Sequence, residues 1–534
     1  MPSSYPTGLD NIADHVTGDS ITAALGNSWS DGINALQLDG RQGAVFNVRH
    51  YGATGRNSAD DTTAIQAAIT AAGAASTQSI NGRGIVLVPP GDYMVTAQLV
   101  VNSDNITIRG SGPVDSAQFI QPLGGSDMAS MIRFGSTRSV TAPALENITL
   151  VCGGTSRTSG THTTGHGVIF DANQPMMKHV RVQYAPQDGI QWIATGTGGG
   201  PSASFEGFAI DVSVHRPGRD GFLVDANHFN EELFRVIIHG DQFDGTSTRN
   251  GFMVQGGAIK LIACHPYHCG YNSTGLISRA GSTTTVCNIP TSFIPNPGNL
   301  VGLILTYTSG ANSGVARVIS ANTTTTITTA AFGSTPATAD TFSVTGGAGL
   351  QFDSSQDLHV VSGEYETCFN GINIGPGCRF TIDGVNCYGA NSADIVCTNT
   401  NNGGRITNST FISAVPSQVY LLGSTPGCED VQITGNYFNN GTANSLRVDN
   451  GIRGIISGNM IAAQTGATRG ILLNNTSRFT VNGNLMGGYG SGGNFPKPIV
   501  ELGTSNNNLF TANQLNGTAI TILGAASVAV NNMA

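Results

Sequence analysis

Charged side chains that could catalyse acid/base chemistry are concentrated in one segment, "FAIDVSVHRPGRDGFLVDANHFNEELFRVIIHGDQFDG" (208–245), whereas charged residues are much sparser in the C-terminal rungs. Two positioned carboxyl groups are the usual requirement of glycoside hydrolysis. We expect two of four residues here to form such a pair, with Asp241 also a candidate: Asp220, Asp225, Glu231 and Glu232. The alternative is that these acids cap loops and form surface ion pairs.

A second pair of acids, Glu364 and Glu366, lies in "GEYETCF". Alternate residues of a strand point to the same face, so the two carboxylates would project together. Tyr365 between them would face the opposite way, where we expect it to stack on sugar.

Basic residues and histidines supply candidate binding groups. Arg216 and Arg219 could bind carboxylated sugars or lower the pKa of a neighbouring acid. His239 is placed with His215 and His265 at equivalent positions of successive rungs. These histidines could form a proton relay or a metal site, to which "CHPYHC" (264–269) could contribute. Alternatively, they are structural residues that continue the hydrogen bonding of the asparagines. The structural interpretation is favoured, and no metal site is predicted, because the spacing matches no known zinc finger.

Elimination chemistry is the alternative to hydrolysis. A lyase needs an acidic substrate, a base such as Arg or Lys, and often Ca²⁺ held by carboxylates. Lysine is scarce, although Lys260 lies in the region, and no DxD cluster occurs. Hydrolysis is therefore favoured, no cofactor is expected, and Ca²⁺ would be implied only for a lyase.

The elements that would position these residues are repeats. The phrases "VQITGNYFNN", "IISGNMIAA", "TVNGNLMGG" and "LFTANQLNG" place asparagines at 436, 459, 484 and 513, at intervals of 23, 25 and 29 residues. Each unit alternates as a strand does and lacks helical periodicity. A period of this length with strand character predicts a parallel β-helix, an all-β fold in which each coil, or rung, lies ~4.8 Å from the next.

These asparagines are expected to form a ladder, hydrogen-bonding the rungs above and below at a sharp turn. Counting three residues past the apolar residue that opens each repeat extends the column upward, to Ser409 and then Glu364, His265, His239, His215 and Gln183. The register of this extension is uncertain by one residue.

A glycine followed by alternating apolar residues marks a second strand of each rung, as in "GVIFD" from Gly167 and "GFLVD" from Gly221. The residues four positions past these glycines should stack in one row with carboxylates ~5 or ~10 Å apart, the spacings of retaining and inverting glycosidases. The row comprises Asp171, Ile193, Asp225, Gln255, Arg279 and Asp353. We accordingly predict that three of its members bind substrate: Gln255, Arg279 and Asp353.

The N-terminal quarter contains "FNVRHYGATGRNSADDTTAIQAAITAA" (46–72), "GIVLVPPGDYMV" (84–95) and "NITIRGSGP" (105–113). This text resembles the opening of the pectate-lyase-like superfamily of right-handed parallel β-helices, which includes many phage tailspikes and polysaccharide depolymerases. Asp60, Asp61 and Thr62 would cap a short amphipathic helix, with Ile65 and Ile69 on its apolar face, that covers the first rung.

Four segments are expected. Residues 1–42 resemble short N-terminal segments of phage tail proteins that attach to the virion, so a tail or baseplate protein is an implied partner. Residues 43–279 and 347–534 form the β-helix. Residues 280–346, rich in Thr and β-branched residues, interrupt the repeat as a small inserted β-domain. This insert either replaces one asparagine-type strand, or "GLIS" from Gly275 belongs to the insert itself.

Composition excludes several classes of protein. The net charge is −9 with no basic stripe, so nucleic acid is not expected as a partner. No run of 18 apolar residues and no signal peptide are visible, so neither membrane insertion nor Sec export is predicted. Nine cysteines without CxxC pairs do not indicate a disulfide framework.

Three functions fit this sequence. The first is a virion-attached, homotrimeric tailspike that binds and hydrolyses a cell-surface polysaccharide. The second is a free, extracellular polysaccharide hydrolase or lyase. The third is a non-enzymatic carbohydrate-binding adhesin or structural spike.

Overall fold

The computed structural model describes residues 44–76, 84–155, 157–158, 160–240, 248–293, 295–354, 356–398, 403–423, 428–463, 467–488, 495–516, 519–524 and 526–533. Within them the chain coils into a parallel β-helix with three sheets. The all-β parallel helix expected from the repeats, and the right hand implied by the family resemblance, are confirmed. Each rung contributes one strand to each sheet. Candidate residues at 1–42 and Asp241 lie outside the described residues.

Sheet 1 is formed by the strand that precedes the asparagine turn in each rung. Two long strands, Ala144–Val151 and Met176–Gln183, run from sheet 1 into sheet 2. The other strands of sheet 1 are Ala44–Asn47, Gly84–Val88, Ile106–Gly110, Phe208–Ile210, Glu232–Phe234, Ile259–Ile262, Asp357–Val361, Arg379–Asp383, Gly404–Thr407, Glu429–Thr434, Ile452–Ser457, Ser477–Asn482, Leu509–Thr511 and Val528–Val530.

Sheet 2 follows that turn. Its strands are Arg56–Asp60, Gly91–Met94, Ala117–Ile120, the second halves of the two long strands, Ser213–His215, Ile237–His239, His265–Tyr267, Glu364–Glu366, Asn386–Tyr388, Thr410–Phe411, Tyr437–Phe438, Met460–Ala463 and Leu485–Gly488.

Sheet 3 contains the glycine strands. They are Leu99–Val101, Ser130–Phe134, His166–Asn173, Ile190–Ile193, Asp220–Val224, Asn250–Val254, Ala348–Phe352, Asn370–Ile374, Ala393–Thr398, Ser417–Leu422, Asn444–Asp449, Arg469–Asn474 and Lys497–Leu502. Val140–Thr141 pairs with the end of His166–Asn173, and Ser204–Phe205 pairs with His228–Phe229 beside the main body.

The helix Thr62–Ser76 packs Ile65, Ala68 and Ile69 against the first rungs. Asp60 accepts a hydrogen bond from the Thr62 backbone N–H (3.0 Å), as a capping residue does. Gln66 exchanges two hydrogen bonds with the backbone of Val100, at 2.8 and 2.9 Å. The helix thereby covers apolar side chains of the first coil that would otherwise meet water. Short 3₁₀ turns occupy Val48–Tyr51 and Thr197–Gly199.

Buried asparagines form the ladder at the turn between sheets 1 and 2. The Asn459 Oδ1 accepts hydrogen bonds from the backbone N–H and the Nδ2 of Asn436, both at 3.0 Å, and its own Nδ2 donates to Asn484 Oδ1 at 2.9 Å. The same contacts continue from Asn484 to Asn513, and Asn513 donates to Asn532. The ladder therefore satisfies buried backbone groups in every C-terminal rung.

Above Ser409 the predicted extension of the ladder is wrong, by one residue at Glu364 and His265 and by three residues at His239, His215 and Gln183. The Val385 N–H donates to Ser409 Oγ, and the same turn position is then occupied by Gly363, Cys264 and Val236. The expected residues Glu364, His265, His239, His215 and Gln183 lie instead on sheet 2, with side chains that point outward.

The interruption of the repeat is a six-stranded antiparallel sheet with its own core. Its strands are Tyr271–Ile277, Val286–Asn288, Ile304–Tyr307, Ala316–Asn322, Thr326–Thr329 and Thr341–Gly346. It leaves the β-helix between Tyr267 of sheet 2 and Ala348 of sheet 3. Arg279 follows the first of these strands, so it does not join the row that it was predicted to extend.

Candidate functional site

Acids of the 208–245 segment that were predicted to be catalytic are largely structural. Asp220 is fully buried and is held by the Arg249 guanidinium, with Nε at 3.0 Å from Oδ1, and by Asn250 Nδ2 at 2.9 Å. Arg219 donates to Asp188 from Nε (2.6 Å) and from Nη2, which keeps the pKa of Asp188 well below its usual range despite burial. Asp220 and Arg219 therefore form buried ion pairs, not a substrate site.

Glu231 is also fully buried. Its Oε1 is hydrogen-bonded by Ser204 Oγ at 2.9 Å and by His228 Nδ1 at 3.0 Å. The prediction of Glu231 as a catalytic residue fails because no substrate could reach it. Its Oε2 lies beside Gly207, and none of the described residues donates a hydrogen bond to it.

The remaining acids of this segment are accessible but engaged. Glu232 points outward from sheet 1 and pairs with Lys260 at 2.6 Å, with 40% of its side chain exposed. Asp225 caps a turn by accepting from the Asn227 N–H at 2.9 Å. The two side chains stand on different elements, so they are not brought together as an acid/base pair.

Apart from Arg279, the row after sheet 3 keeps the predicted order. Strand pairing stacks Asp171 on Ile193, and the rungs that follow carry Asp225, Gln255 and Asp353 at the next positions. Asp171 is buried and receives hydrogen bonds from Ser139 and Thr195, whereas Asp353 is exposed and accepts from Gln351 at 2.6 Å. The row holds no two exposed carboxylates on adjacent rungs.

Outward side chains of sheet 2 bring together the other predicted residues. We call this surface the sheet 2 face; it comprises Ser213, His215, Ile237, His239, His265, Tyr267, Glu364, Glu366, Asn386, Tyr388, Thr410 and Tyr437. The residue between each outward pair points into the core. Tyr365 is one of these and is buried, so it cannot stack on sugar as predicted.

Glu364 and Glu366 both face His265. The His265 Nε2 lies 3.5 Å from Glu366 Oε2 and 3.9 Å from Glu364 Oε2. The Tyr388 hydroxyl donates to Glu366 Oε2 at 3.0 Å. Burial and the Glu366 carboxylate raise the pKa of Tyr388 to about 12, so this hydroxyl stays protonated and donates at neutral pH.

An aromatic column continues along the sheet 2 face from this carboxyl pair. Strand pairing places His215, His239, Tyr267, Glu366 and Tyr388 at equivalent positions of successive rungs. The His239 and Tyr267 rings stack with centroids 4.3 Å apart, and the His215 and His239 rings lie 5.5 Å apart. Burial, followed by the neighbouring His239, lowers the pKa of His215 to about 4.

The cysteines and histidines of this region form neither disulfides nor a metal site among the described residues. All nine cysteines are buried free thiols. Cys264 and Cys269 point inward while His265 points outward, so "CHPYHC" does not converge on one point. Within the described ranges, no three His, Cys, Asp or Glu side chains are grouped so that they could hold a metal ion. No helix in that part of the chain is long and apolar enough to cross a membrane.

Residues 45–249 match the family model described as rhamnogalacturonase A/epimerase, pectate lyase-like. This segment is similar to a pectate-lyase-like domain. The resemblance noted in the N-terminal quarter is thus confirmed. No curated protein matches the sequence significantly.

Solved structures with the same fold include proteins of several kinds. Pre-mature gene product 12 of bacteriophage phi29 is 10% identical with a TM-score of 0.50, and the match covers 95% of this chain and 56% of that one. The A-module of mannuronan C-5 epimerase AlgE4 from Azotobacter vinelandii is 14% identical with a TM-score of 0.47, covering 91% and 99%. The catalytic unit of the GH87 α-1,3-glucanase from Streptomyces thermodiastaticus is 12% identical with a TM-score of 0.39, covering 91% and 70%. At such identities the likeness concerns the fold.

Proposed function

We propose that this protein binds a cell-surface polysaccharide along the sheet 2 face and hydrolyses it with Glu364 and Glu366 as the acid/base pair. The observation that carries the proposal is the position of both carboxylates, outward from one strand and within 4 Å of the same His265 Nε2. Among the predicted acids, only this pair shares one accessible strand in the described part of the chain.

The surroundings of the two acids support different roles. Glu366 accepts a hydrogen bond from the Tyr388 hydroxyl and lies closer to His265, so its carboxylate is held in place. Glu364 is the more exposed of the two, so we assign it as the general acid that reaches the leaving group and Glu366 as the general base.

The test is a screen of polysaccharides with the full chain, following reducing ends and the absorbance of unsaturated products. We expect Glu364→Gln and Glu366→Gln each to lower the rate of reducing-end release by about 10²–10⁴-fold with an unchanged melting temperature. Glu429→Gln is the matched control, since Glu429 lies on sheet 1 and pairs with Arg453. Full activity in both site variants would overturn the assignment.

The same screen separates the alternatives. A lyase would release unsaturated products, but Lys260, the lysine nearest the acids, is ion-paired with Glu232. A non-enzymatic adhesin would bind a glycan without releasing ends. Binding that survives Glu366→Gln is expected of both an enzyme and an adhesin, so product release is the readout that decides.

We further propose that the chain is a tailspike-like protein of a phage virion, assembled as a homotrimer and attached through residues 1–42. Support comes from the N-terminal sequence resemblance and from a fold shared with gene product 12 of bacteriophage phi29. Light scattering of the full chain should give three times the 55.0 kDa chain mass. A monomeric mass would contradict the trimer without affecting the assignment of the carboxyl pair.

A further inference from the structure

We propose that the sheet 2 face selects a neutral polysaccharide and rejects glycans that carry carboxylate, sulfate or phosphate groups. This inference rests on the proposed function of the same face. It concerns the substrate class, which neither the fold nor the carboxyl pair by itself specifies.

The first observation is the absence of permanent positive charge on this surface. From the strand Ser213–His215 to the strand Tyr437–Phe438, no outward position of sheet 2 is a lysine or an arginine. Recognition of a carboxylate or phosphate ordinarily uses such a residue, most often a bidentate arginine. The only ionisable groups on the face besides tyrosines are histidines and two glutamates.

Basic residues at the margins of the face are already engaged. Arg181, one rung above Ser213, pairs with Asp115; Arg235 pairs with Asp211 at 2.7 Å; and Lys260 pairs with Glu232 at 2.6 Å. Arg216, which was predicted to bind carboxylated sugars, is not without a partner either. Redirecting Arg181, Arg235 or Lys260 to a substrate would break an existing ion pair.

Two of the three histidines on the face, His215 and His265, do not replace the missing cations. His215 is held neutral at pH 7, because burial and the adjacent His239 lower its pKa to about 4. His265 faces Glu364 and Glu366, so any positive charge on its ring is balanced by two carboxylates. An anionic sugar placed beside them would meet net negative potential, which the chain's overall charge of −9 reinforces.

The groups that the face does offer fit uncharged sugars. Tyr267, His239 and Tyr388 present ring edges and faces against which the C–H faces of pyranose rings can pack. The carboxylates of Glu364 and Glu366 accept hydrogen bonds from sugar hydroxyls, and Asn386, exposed beside them, both donates and accepts. A neutral chain could thus be bound without an ion pair.

The test compares neutral and anionic polysaccharides with the full chain, using matched pairs such as dextran and dextran sulfate within a broader panel. We expect Glu366-dependent cleavage of one or more neutral glycans, with binding that changes less than about twofold between low and high salt. Glu366-dependent cleavage of an anionic glycan would overturn this inference and leave the proposed function standing. No cleavage of any glycan would overturn both.

A gain-of-charge variant gives an independent readout. Asn386→Arg places a cation one rung from Glu364 and should increase the affinity for anionic glycans at least about fivefold at low salt, whereas Asn386→Gln should not. Equal weak binding of anionic glycans by both variants would contradict charge exclusion. Circular dichroism of the two variants checks that each remains folded.

Discussion

The buried acids around residues 188–231 and the exposed acids at 364 and 366 differ in the direction of their side chains. Asp188, Asp220 and Glu231 have no exposed surface, while the side chains of Glu364 and Glu366 are 49% and 31% exposed. The first group lies at corners of the rungs beneath loops, and the second lies on the outward positions of a flat strand. A high density of charge in a sequence can therefore mark an internal network as readily as a reactive surface.

The buried group also has a definable structural task. Arg249 pairs with Asp220 and donates from Nη1 to the carbonyl of Val301 in the antiparallel unit at 2.7 Å. Asn299 of that unit donates to the carbonyl of Gly218 at 2.5 Å. These contacts fasten the inserted sheet to the corner of the β-helix, which explains why charges are concentrated there.

The largest expected effect is on the buried group. Asp220→Ala leaves Arg249 buried without its counter-ion and should lower the free energy of unfolding by about 3–5 kcal/mol. Urea denaturation would measure it, with Asp357→Ala as control, since the Asp357–Arg379 pair is exposed and contributes about 1 kcal/mol or less. A stable Asp220→Ala variant that no longer cleaves polysaccharide would contradict this comparison, because Asp220 would then act in catalysis and not in stability.

Asp394 extends the contrast to a buried acid without a cation. Burial raises its pKa to about 8, although Ser413 donates to it. Between that value and the ordinary value of 3.8 the unfolded chain releases the proton and the folded chain keeps it, so the free energy of unfolding falls as pH rises from about 4 to about 8. Asp394→Asn should remove this slope, about 2.7 kcal/mol over two pH units within the window.

Thermal and urea unfolding of wild type and Asp394→Asn across this pH range would measure the difference. The free energy of unfolding of Asp394→Asn should increase relative to that of the wild type as pH rises. Asp353→Asn, which changes an exposed carboxylate, should show the same pH dependence as the wild type. Parallel curves for wild type and Asp394→Asn would show that the folded chain binds no extra proton there.

The asparagine ladder should show an intermediate effect. Asn459→Ala removes four buried hydrogen bonds and leaves the Asn436 backbone N–H unsatisfied, so the free energy of unfolding should fall by about 1–3 kcal/mol. Asn506→Ala changes an exposed asparagine and should cost less than about 0.5 kcal/mol. Equal melting temperatures for the two variants would argue against a stabilising ladder.

The smallest effect is expected at Glu232, an accessible acid of the 208–245 segment. Glu232→Gln breaks an exposed pair with Lys260 and should change the free energy of unfolding by no more than about 1 kcal/mol. Polysaccharide cleavage should be unchanged, as measured by reducing-end release. A large loss of cleavage would indicate that the catalytic site lies on sheet 1, at Glu232, and not on sheet 2.

Particular residues show where sequence reasoning succeeded. The stacking of Asn436, Asn459, Asn484 and Asn513 followed from their spacing, because a regular period leaves each copy one place in a rung. The N-terminal capping helix, which buries Ile65 and Ile69, followed from the helical pattern after Asp60. Glu364 and Glu366 were correctly expected to share a face, since strand residues alternate.

Other residues show where it failed. Without an asparagine to mark the turn above Ser409, the count slipped by one residue at Glu364 and His265 and by three residues in the rungs above them. In a strand either slip exchanges the inward and outward faces. Arg279 was assigned to the β-helix because "GLISR" has the pattern of a rung strand, but Tyr271–Ile277 pairs antiparallel with Thr341–Gly346. Local pattern does not distinguish the two pairings.

The sequence by itself determined the parallel β-helix, its period and its N-terminal cap, since these depend on local alternation and repetition. Only the tertiary structure decided which acids meet water. Asp220 is buried with Arg249, which is distant along the chain, and Glu231 is buried with His228. The exposure of Glu366 depends on its register with Tyr267 and Tyr388. Such contacts are set by the packing of rungs, which no single segment encodes.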